Sequence, residues 1–217
     1  MGGRAEYDYF ASGFFERTDE SDDAAFYEPV RLVQHIDDAA IAGVASIYNE
    51  LNIEGNVLDL MSSWISHFET TPSRLTILGM NEAELRANAQ ASEVVVHDLN
   101  LDPTLPWPDN HFDDVVCAVS VDYLTKPLEV FEEVARVVRP GGRFVCTFSN
   151  RCFPTKAIRG WLMASDSLRC EIVATYFRLS GGWDEPVIDT RIRGGVSDPL
   201  YAVWATALGS ANSDPDT

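Results

Sequence analysis

Short continuous apolar runs alternate with segments in which apolar residues recur every three or four positions along most of this chain. Runs that are apolar on both faces predict buried strands, and the helical spacing predicts helices between them. The predicted strands are 57–61, 74–79, 93–97, 113–119, 143–149, 186–193 and 200–207. The first predicted helix begins at Asp37 or Asp38. The other predicted helices span 62–69, 82–89, 127–138 and about 155–178. This order predicts an α/β fold: a Rossmann-like doubly wound, mostly parallel seven-stranded sheet with an antiparallel edge strand.

The length of 217 residues suits a single domain with its own core. Residues 1–35 lack periodicity, which predicts an N-terminal arm or a lid whose aromatic residues Phe26 and Tyr27 cover a ligand. Residues 209–217 are predicted to be a disordered tail. No apolar signal segment follows a basic start, and the longest apolar run, 115–119, is too short to cross a bilayer. We therefore expect a cytoplasmic protein without a membrane anchor.

The charge balance limits the kinds of molecule that the protein is expected to bind. The chain carries 34 acidic and 16 basic residues, for a net charge of -18. Such an excess repels itself unless salt screens it, which favours a halophilic source. It also disfavours nucleic acid as a partner, because affinity there depends on neutralising phosphates. The four histidines and four cysteines show no metal-ligand spacing, so we expect no metal site and reduced thiols.

The segment VLDLMSSWISH reads as a buried strand that reaches Asp59 and turns directly into a helix. In doubly wound folds, nucleotide-type cofactors bind at the carboxyl end of the first strand. The glycines that usually let the backbone approach such a ligand are missing, because Met61, Ser63 and Ile65 stand where they are expected. The turn alone is therefore a weak cofactor signal.

Two later segments are more specific: LPWPDNHFDDVV at 105–116 and VVRPGGRF at 137–144. With Asp59 and Asp98, they make residues 55–150 resemble a class I S-adenosylmethionine (SAM)-dependent methyltransferase of the type-11-like group. A Ser-Ser-Trp turn in place of the Gly-rich one indicates a poorly characterised branch. The resemblance implies SAM as the cofactor and direct in-line transfer of its methyl group to an unidentified small molecule.

The resemblance also implies roles for single positions. The residues expected to contact the cofactor are Asp59, Leu60, Met61, Ser62, Ser63, Gly79, Met80, Asp98, Leu99 and Ser120. The first strand and its turn would hold the methionine part, whose carboxylate is favoured by the turn amides and the predicted helix start. Asp98 and the Leu99 amide would bind adenine, while Ser120 would lie near the sulfonium.

The chain departs from the family pattern at the end of the second strand, where an acidic residue usually holds both ribose hydroxyls. Gly79 stands there, with Met80 in the position that packs on adenine; a shift by two residues would give Asn81 the ribose role. Losing this acceptor costs about 1.5–3 kcal/mol of SAM affinity. A catalytically weak or inactive SAM-binding or regulatory protein is therefore the alternative. An NAD-type dehydrogenase is disfavoured because no GxGxxG follows the first strand.

A hydroxyl or amine acceptor would need a general base, since orientation alone does not remove its proton. Asp122 and Tyr123 after the fourth strand and Asn150 after the fifth are candidates at the right edge of the sheet. His35 could enter the site from the N-terminal arm. For each of these residues, a purely structural role is the stronger interpretation.

Overall fold

Seven strands form one sheet in the computed structural model, which describes residues 5–209. The strands are β1 (Asn56–Leu60), β2 (Arg74–Gly79), β3 (Glu93–Val96), β4 (Asp114–Ala118), β5 (Arg143–Phe148), β6 (Val187–Ile192) and β7 (Leu200–Thr206). Their order across the sheet is β3-β2-β1-β4-β5-β7-β6. The first five run parallel, and β7 runs antiparallel to both β5 and β6. The predicted fold class is confirmed, whereas residues 210–217 of the predicted tail lie outside the described residues.

Helices cover both faces of this sheet. They are α1 (Asp23–Tyr27), α2 (Asp38–Glu50), α3 (Glu82–Ala87), α4 (Pro127–Val137), α5 (Arg159–Leu162) and α6 (Asp166–Ser180). Successive side chains of a strand point to opposite faces, so β1 contributes to two cores. Leu58 and Leu60 pack with Phe131 of α4, while Val57 packs with Tyr48 of α2. Burial on both faces explains why the strands appear in the sequence as continuous apolar runs.

Capping residues fix several helix starts. Asp37 accepts a hydrogen bond from the Ala40 amide at the start of α2, and Asn81 accepts one from the Glu84 amide at the start of α3. The predicted helix at about 155–178 is instead two helices. Ser165 caps a new helix by accepting from the Leu168 amide, which separates α6 from the short α5.

The prediction of a helix at 62–69 is wrong, because this segment is irregular. Met61 adopts a left-handed conformation with φ 55°, which ends the strand direction abruptly. The Ser62 amide then donates to the Leu78 carbonyl at 2.7 Å, and the Ser63 carbonyl accepts from the Asn88 side chain at 3.1 Å. Backbone groups that a helix would pair internally are thus bonded to the neighbouring β2 and to the residue after α3.

The N-terminal region packs on the sheet domain through a buried charge cluster. Lys156 is fully buried and lies 3.0 Å from the Asp23 carboxylate and 3.3 Å from that of Asp19. Asp23 also accepts two bonds of 2.8 Å from Arg17 and one of 3.0 Å from Asn100. We call residues 19–35, which continue from this cluster across the carboxyl ends of the strands, the covering segment.

Removing the buried ammonium should detach this region. We expect Lys156→Met to lower the free energy of unfolding by about 3–5 kcal/mol, because two carboxylates lose a buried cationic partner. Urea unfolding measures the loss, and hydrogen exchange should show faster exchange in residues 5–35. Lys126→Met, at a partly exposed lysine whose ammonium donates to the Leu101 carbonyl at 3.2 Å, is the control. Equal stability of both variants would contradict the role of the cluster.

Candidate functional site

A cavity of about 290 Å³ lies at the carboxyl ends of the central strands, under the covering segment. This edge is where ligands bind in open α/β sheets. Nine of the residues predicted to act in the site line the cavity. They are Met61, Ser62, Ser63, Gly79, Met80, Asp98, Leu99, Ser120 and Tyr123. Residues that the sequence analysis placed in one site thus line a single cavity.

Four other predicted residues do not line it. Asp59 and Leu60 are buried beneath the turn, and Asp122 is buried below the cavity wall. Asn150 is exposed, and its neighbour Arg151 lines the cavity instead. Any direct contact of these four with a cofactor or acceptor would need a rearrangement.

The Asp59 carboxyl supports the turn from below. Its Oδ2 accepts a 2.7 Å bond from the Ser62 hydroxyl. Burial raises the pKa of Asp59 to about 7, while hydrogen bonds from Ser66 and Ser62 oppose that rise. In this geometry Asp59 holds the turn through Ser62 and does not line the cavity.

The turn itself is tied to both neighbouring strands. The Met61 carbonyl accepts from the Ser120 hydroxyl at 3.2 Å, just past β4. Val119 next to it has φ 54°, a left-handed conformation that is rare for a β-branched residue. Two residues with left-handed backbone, Met61 and Val119, therefore lie in the cavity wall, which is where proteins concentrate backbone strain.

The end of β2 is shaped by the turn. A Cβ atom on Gly79 would lie 2.2 Å from the Ser62 carbonyl oxygen, closer than any real contact. An acidic side chain at this position is therefore excluded by the backbone of the turn. Asn81, the alternative for the ribose, caps α3 and donates from Nδ2 to the Tyr27 and Glu28 carbonyls.

A different carboxylate lines this end of the cavity. Glu84 of α3 accepts from the Ser63 hydroxyl through Oε2 and from the Arg31 amide through Oε1, both at 2.5 Å. Glu84 is not among the residues that the sequence placed in the site. Its position one turn into α3, facing the strand ends, was the signal that could have identified it.

At the β3 end, Asp98 forms a turn with its own backbone. Its Oδ1 accepts from the Asn100 amide at 2.9 Å and from the Leu101 amide at 3.2 Å. No described residue bonds Oδ2 or takes the Leu99 amide as a donor. A carboxylate oxygen and an adjacent amide therefore remain for a ligand that offers both a donor and an acceptor.

The covering segment contributes cavity-lining residues that lie outside the methyltransferase motifs. Asp23, Tyr27, Arg31 and His35 line the cavity from above. Tyr27 and His35 were considered as arm residues in the sequence, whereas Asp23 and Arg31 were not. On the opposite side, Phe153 lies with its ring centroid 5.2 Å from that of His35.

The sequence profile of a family described as "Methyltransferase domain" matches residues 61–146. Residues 61–146 therefore carry a methyltransferase domain, and the resemblance to class I SAM-dependent methyltransferases implies SAM as the cofactor. The match spans the turn, the strands β2 to β4 and most of β5, which are the elements that build the cavity.

Two curated relatives carry the name "Ubiquinone/menaquinone biosynthesis C-methyltransferase UbiE". The protein from Pseudomonas fluorescens is 30% identical over 125 residues, covering 54% of this chain and 47% of that protein. The protein from Chromobacterium violaceum is 28% identical over 153 residues, covering 64% and 63%. The chain thus matches about half to just under two thirds of the length of these methyltransferases.

Solved structures show the same fold at low identity. A SAM-dependent methyltransferase of Thermotoga maritima, described as a possible histamine N-methyltransferase, superposes with TM-score 0.55 at 13% identity, covering 77% of this chain and 89% of that one. The [4+2]-cyclase SpnF superposes with TM-score 0.56 at 13% identity, covering 86% and 91%.

Among residues 5–209, no helix is long and apolar enough to span a membrane. The same residues bring no three His, Cys, Asp or Glu side chains into a metal-binding group.

The close approach at Gly79 predicts a steric effect. Gly79→Ala should lower the free energy of unfolding by about 1–3 kcal/mol, because the added Cβ must push the Ser62 carbonyl away. Gly209→Ala is a matched control, since its Cβ would meet only Pro140 at an ordinary 3.5 Å. Thermal and urea unfolding compare the two variants. If Gly79→Ala were as stable as Gly209→Ala, the turn would not be packed against β2.

Buried carboxyls predict an unusual pH dependence. Burial raises the pKa of Asp122 to about 8, and its Oδ2 has no hydrogen-bond partner. The folded state thus keeps a proton that the unfolded chain has released above about pH 4, so stability should fall as pH rises from about 4 to about 8. Asp122→Asn should reduce that slope by up to about 1.4 kcal/mol per pH unit.

Urea unfolding at about pH 5 and about pH 8 measures the slope. Glu54→Gln, at an exposed carboxylate, is the control and should leave the slope as in the wild type. An Asp122→Asn slope equal to that of the wild type would show that Asp122 ionises normally in the folded state.

Proposed function

We propose that this chain transfers the methyl group of SAM to a small organic molecule by direct in-line displacement. The observation that carries the proposal is the cavity at the carboxyl ends of β1 to β4, lined by eight of the ten positions that the methyltransferase resemblance assigns to the cofactor. The activity is proposed for a chain that matches only part of the length of its curated relatives.

The donors and acceptors along the cavity suit the parts of SAM. The free Oδ2 of Asp98 and the Leu99 amide match the amino group and a ring nitrogen of adenine. Glu84 matches the two ribose hydroxyls, because each carboxylate oxygen has a second lone pair beyond the one its protein donor uses. Glu84 would thus take over the task that the Ser62 backbone denies to position 79.

When bound, SAM supplies a methyl group on a positively charged sulfur, which a nucleophile can attack directly. The chain's own task is to hold the acceptor in line and to exclude water. Tyr123 and Phe153 line the cavity on the side of β4 and β5, and the covering segment, which includes Tyr27, closes it from above. The acceptor's proton would pass to His35, whose ring is hydrogen-bonded to no described residue.

The aromatic lining favours a planar ring as the acceptor. The Phe153 ring centroid lies 6.0 Å from that of Tyr123 and 5.2 Å from that of His35. Aromatic walls of this kind add offset or edge contacts to the area a ring buries. The names of the curated relatives concern ubiquinone and menaquinone biosynthesis, so demethylmenaquinone is a suitable first probe.

A second candidate is a protein that binds SAM without turning it over. The absence of the helix start after β1 and the use of the Ser62 amide by Leu78 favour it, because both weaken the expected hold on the methionine part. Turnover, not binding, separates this candidate from the first.

Calorimetric titration with S-adenosylhomocysteine in high salt tests the cofactor site. We expect binding by the wild type and roughly tenfold or greater loss in Glu84→Gln, from the range for charged hydrogen bonds. Glu82→Gln on the exposed side of α3 is the matched control and should bind like the wild type. Absence of binding by the wild type would refute the proposal.

Labelled SAM with demethylmenaquinone, and with a metabolite extract of the source cell, then tests turnover. Label in an extractable product supports the methyltransferase. Binding of S-adenosylhomocysteine with no labelled product from either would favour the non-catalytic candidate.

A further inference from the structure

Most charged side chains that line the cavity already have a protein partner. Asp23 is paired with Arg17 and Lys156, and the Arg151 guanidinium lies 2.8 Å from the Asp198 carboxylate. Arg31 differs from them. Among the described residues, no carboxylate lies within 4 Å of its guanidinium. The positive charge of Arg31 in the cavity wall is therefore available to a ligand.

The Arg31 guanidinium is nevertheless held in place. It donates to the Phe26 carbonyl at 2.9 Å and to the Pro29 carbonyl at 3.3 Å. Its central carbon lies 4.9 Å from the Phe26 ring centroid and 5.7 Å from that of Phe153. Two of five N–H donors are thereby used, which leaves enough for a two-pronged bond to a carboxylate.

The turn after β1 offers fewer free backbone amides to an anion than its sequence predicts. No helix begins there, so the dipole and converging amides of a helix start are absent. The Ser62 amide is already bonded to the Leu78 carbonyl at 2.7 Å. A carboxylate that enters this cavity therefore needs a partner elsewhere in the wall.

We propose that the Arg31 guanidinium binds the carboxylate of the methionine part of SAM, so that the cofactor joins the covering segment to the sheet. This inference rests on the proposed function. The Arg31 amide bonds Glu84, the proposed ribose acceptor, so one residue of the covering segment would bind the carboxylate and also hold the ribose acceptor in place. A carboxylate on the methyl acceptor is the competing source of the same chemistry.

Two ligands separate these sources. S-adenosylhomocysteine carries the amino-acid carboxylate, whereas 5′-deoxy-5′-methylthioadenosine keeps the adenosine and sulfur but lacks it. Arg31→Ala should weaken S-adenosylhomocysteine roughly 10- to 100-fold, the range for a lost charged hydrogen bond, and methylthioadenosine less than about twofold. Arg31→Lys should fall between, since it keeps the charge but not the planar fork. Arg86→Ala, at an exposed arginine of α3, is the control.

Hydrogen exchange gives a second readout that needs no turnover. In the wild type, S-adenosylhomocysteine should protect residues 27–33 more than methylthioadenosine does, and Arg31→Ala should remove the difference. The thermal midpoint of the free variant shows whether it is folded.

Each other outcome overturns the inference. Equal weakening of both ligands would make Arg31 a support of the covering segment, and unchanged affinity for both would leave the carboxylate to another group. Loss confined to an aromatic acid such as benzoate, titrated onto the S-adenosylhomocysteine complex, would assign Arg31 to the acceptor. A wild type that binds neither adenosine ligand would instead refute the proposed function.

Discussion

The hydrogen bond from the Ser62 amide to the Leu78 carbonyl decides the shape of the cleft. At 2.7 Å it draws the turn after β1 against the end of β2, and Met61 takes a left-handed conformation to allow it. The same approach leaves no room for a side chain at residue 79. The missing glycines of the turn and the missing acid of β2 look like two departures in the sequence, but they are one structural change.

This change gives Glu84 a central position. Its two oxygens hold the Ser63 hydroxyl of the turn and the Arg31 amide of the covering segment. Asn81, which caps the same helix, bonds the covering segment a few residues earlier, at the carbonyls of Tyr27 and Glu28. The start of α3 thus connects the sheet, the turn and the covering segment. A ligand bound to Glu84 would therefore be linked to all three.

The sequence predicted the parts that depend on local pattern. Burial on both faces marked the strands, and the cap at Asp37 marked α2. The position of Asp98 after the third strand predicted a residue that does line the cavity. The sequence could not predict the path of 62–69, which follows from tertiary bonds to β2, nor how the covering segment is anchored, because Lys156 bonds residues more than 130 positions away. Long-range contacts of this kind leave no periodic signal.

The two ends of the covering segment are held more firmly than its middle. One end is fixed by the buried pair Lys156–Asp23, whose disruption costs about 3–5 kcal/mol. The other is fixed where Asp37 and Asp198 exchange backbone-to-carboxylate bonds of 3.1 and 2.8 Å. Between them, the segment is held by hydrogen bonds to Asn81 and Glu84 and by ring contacts with Phe153. Arg31 lies on this middle part, between the two anchors.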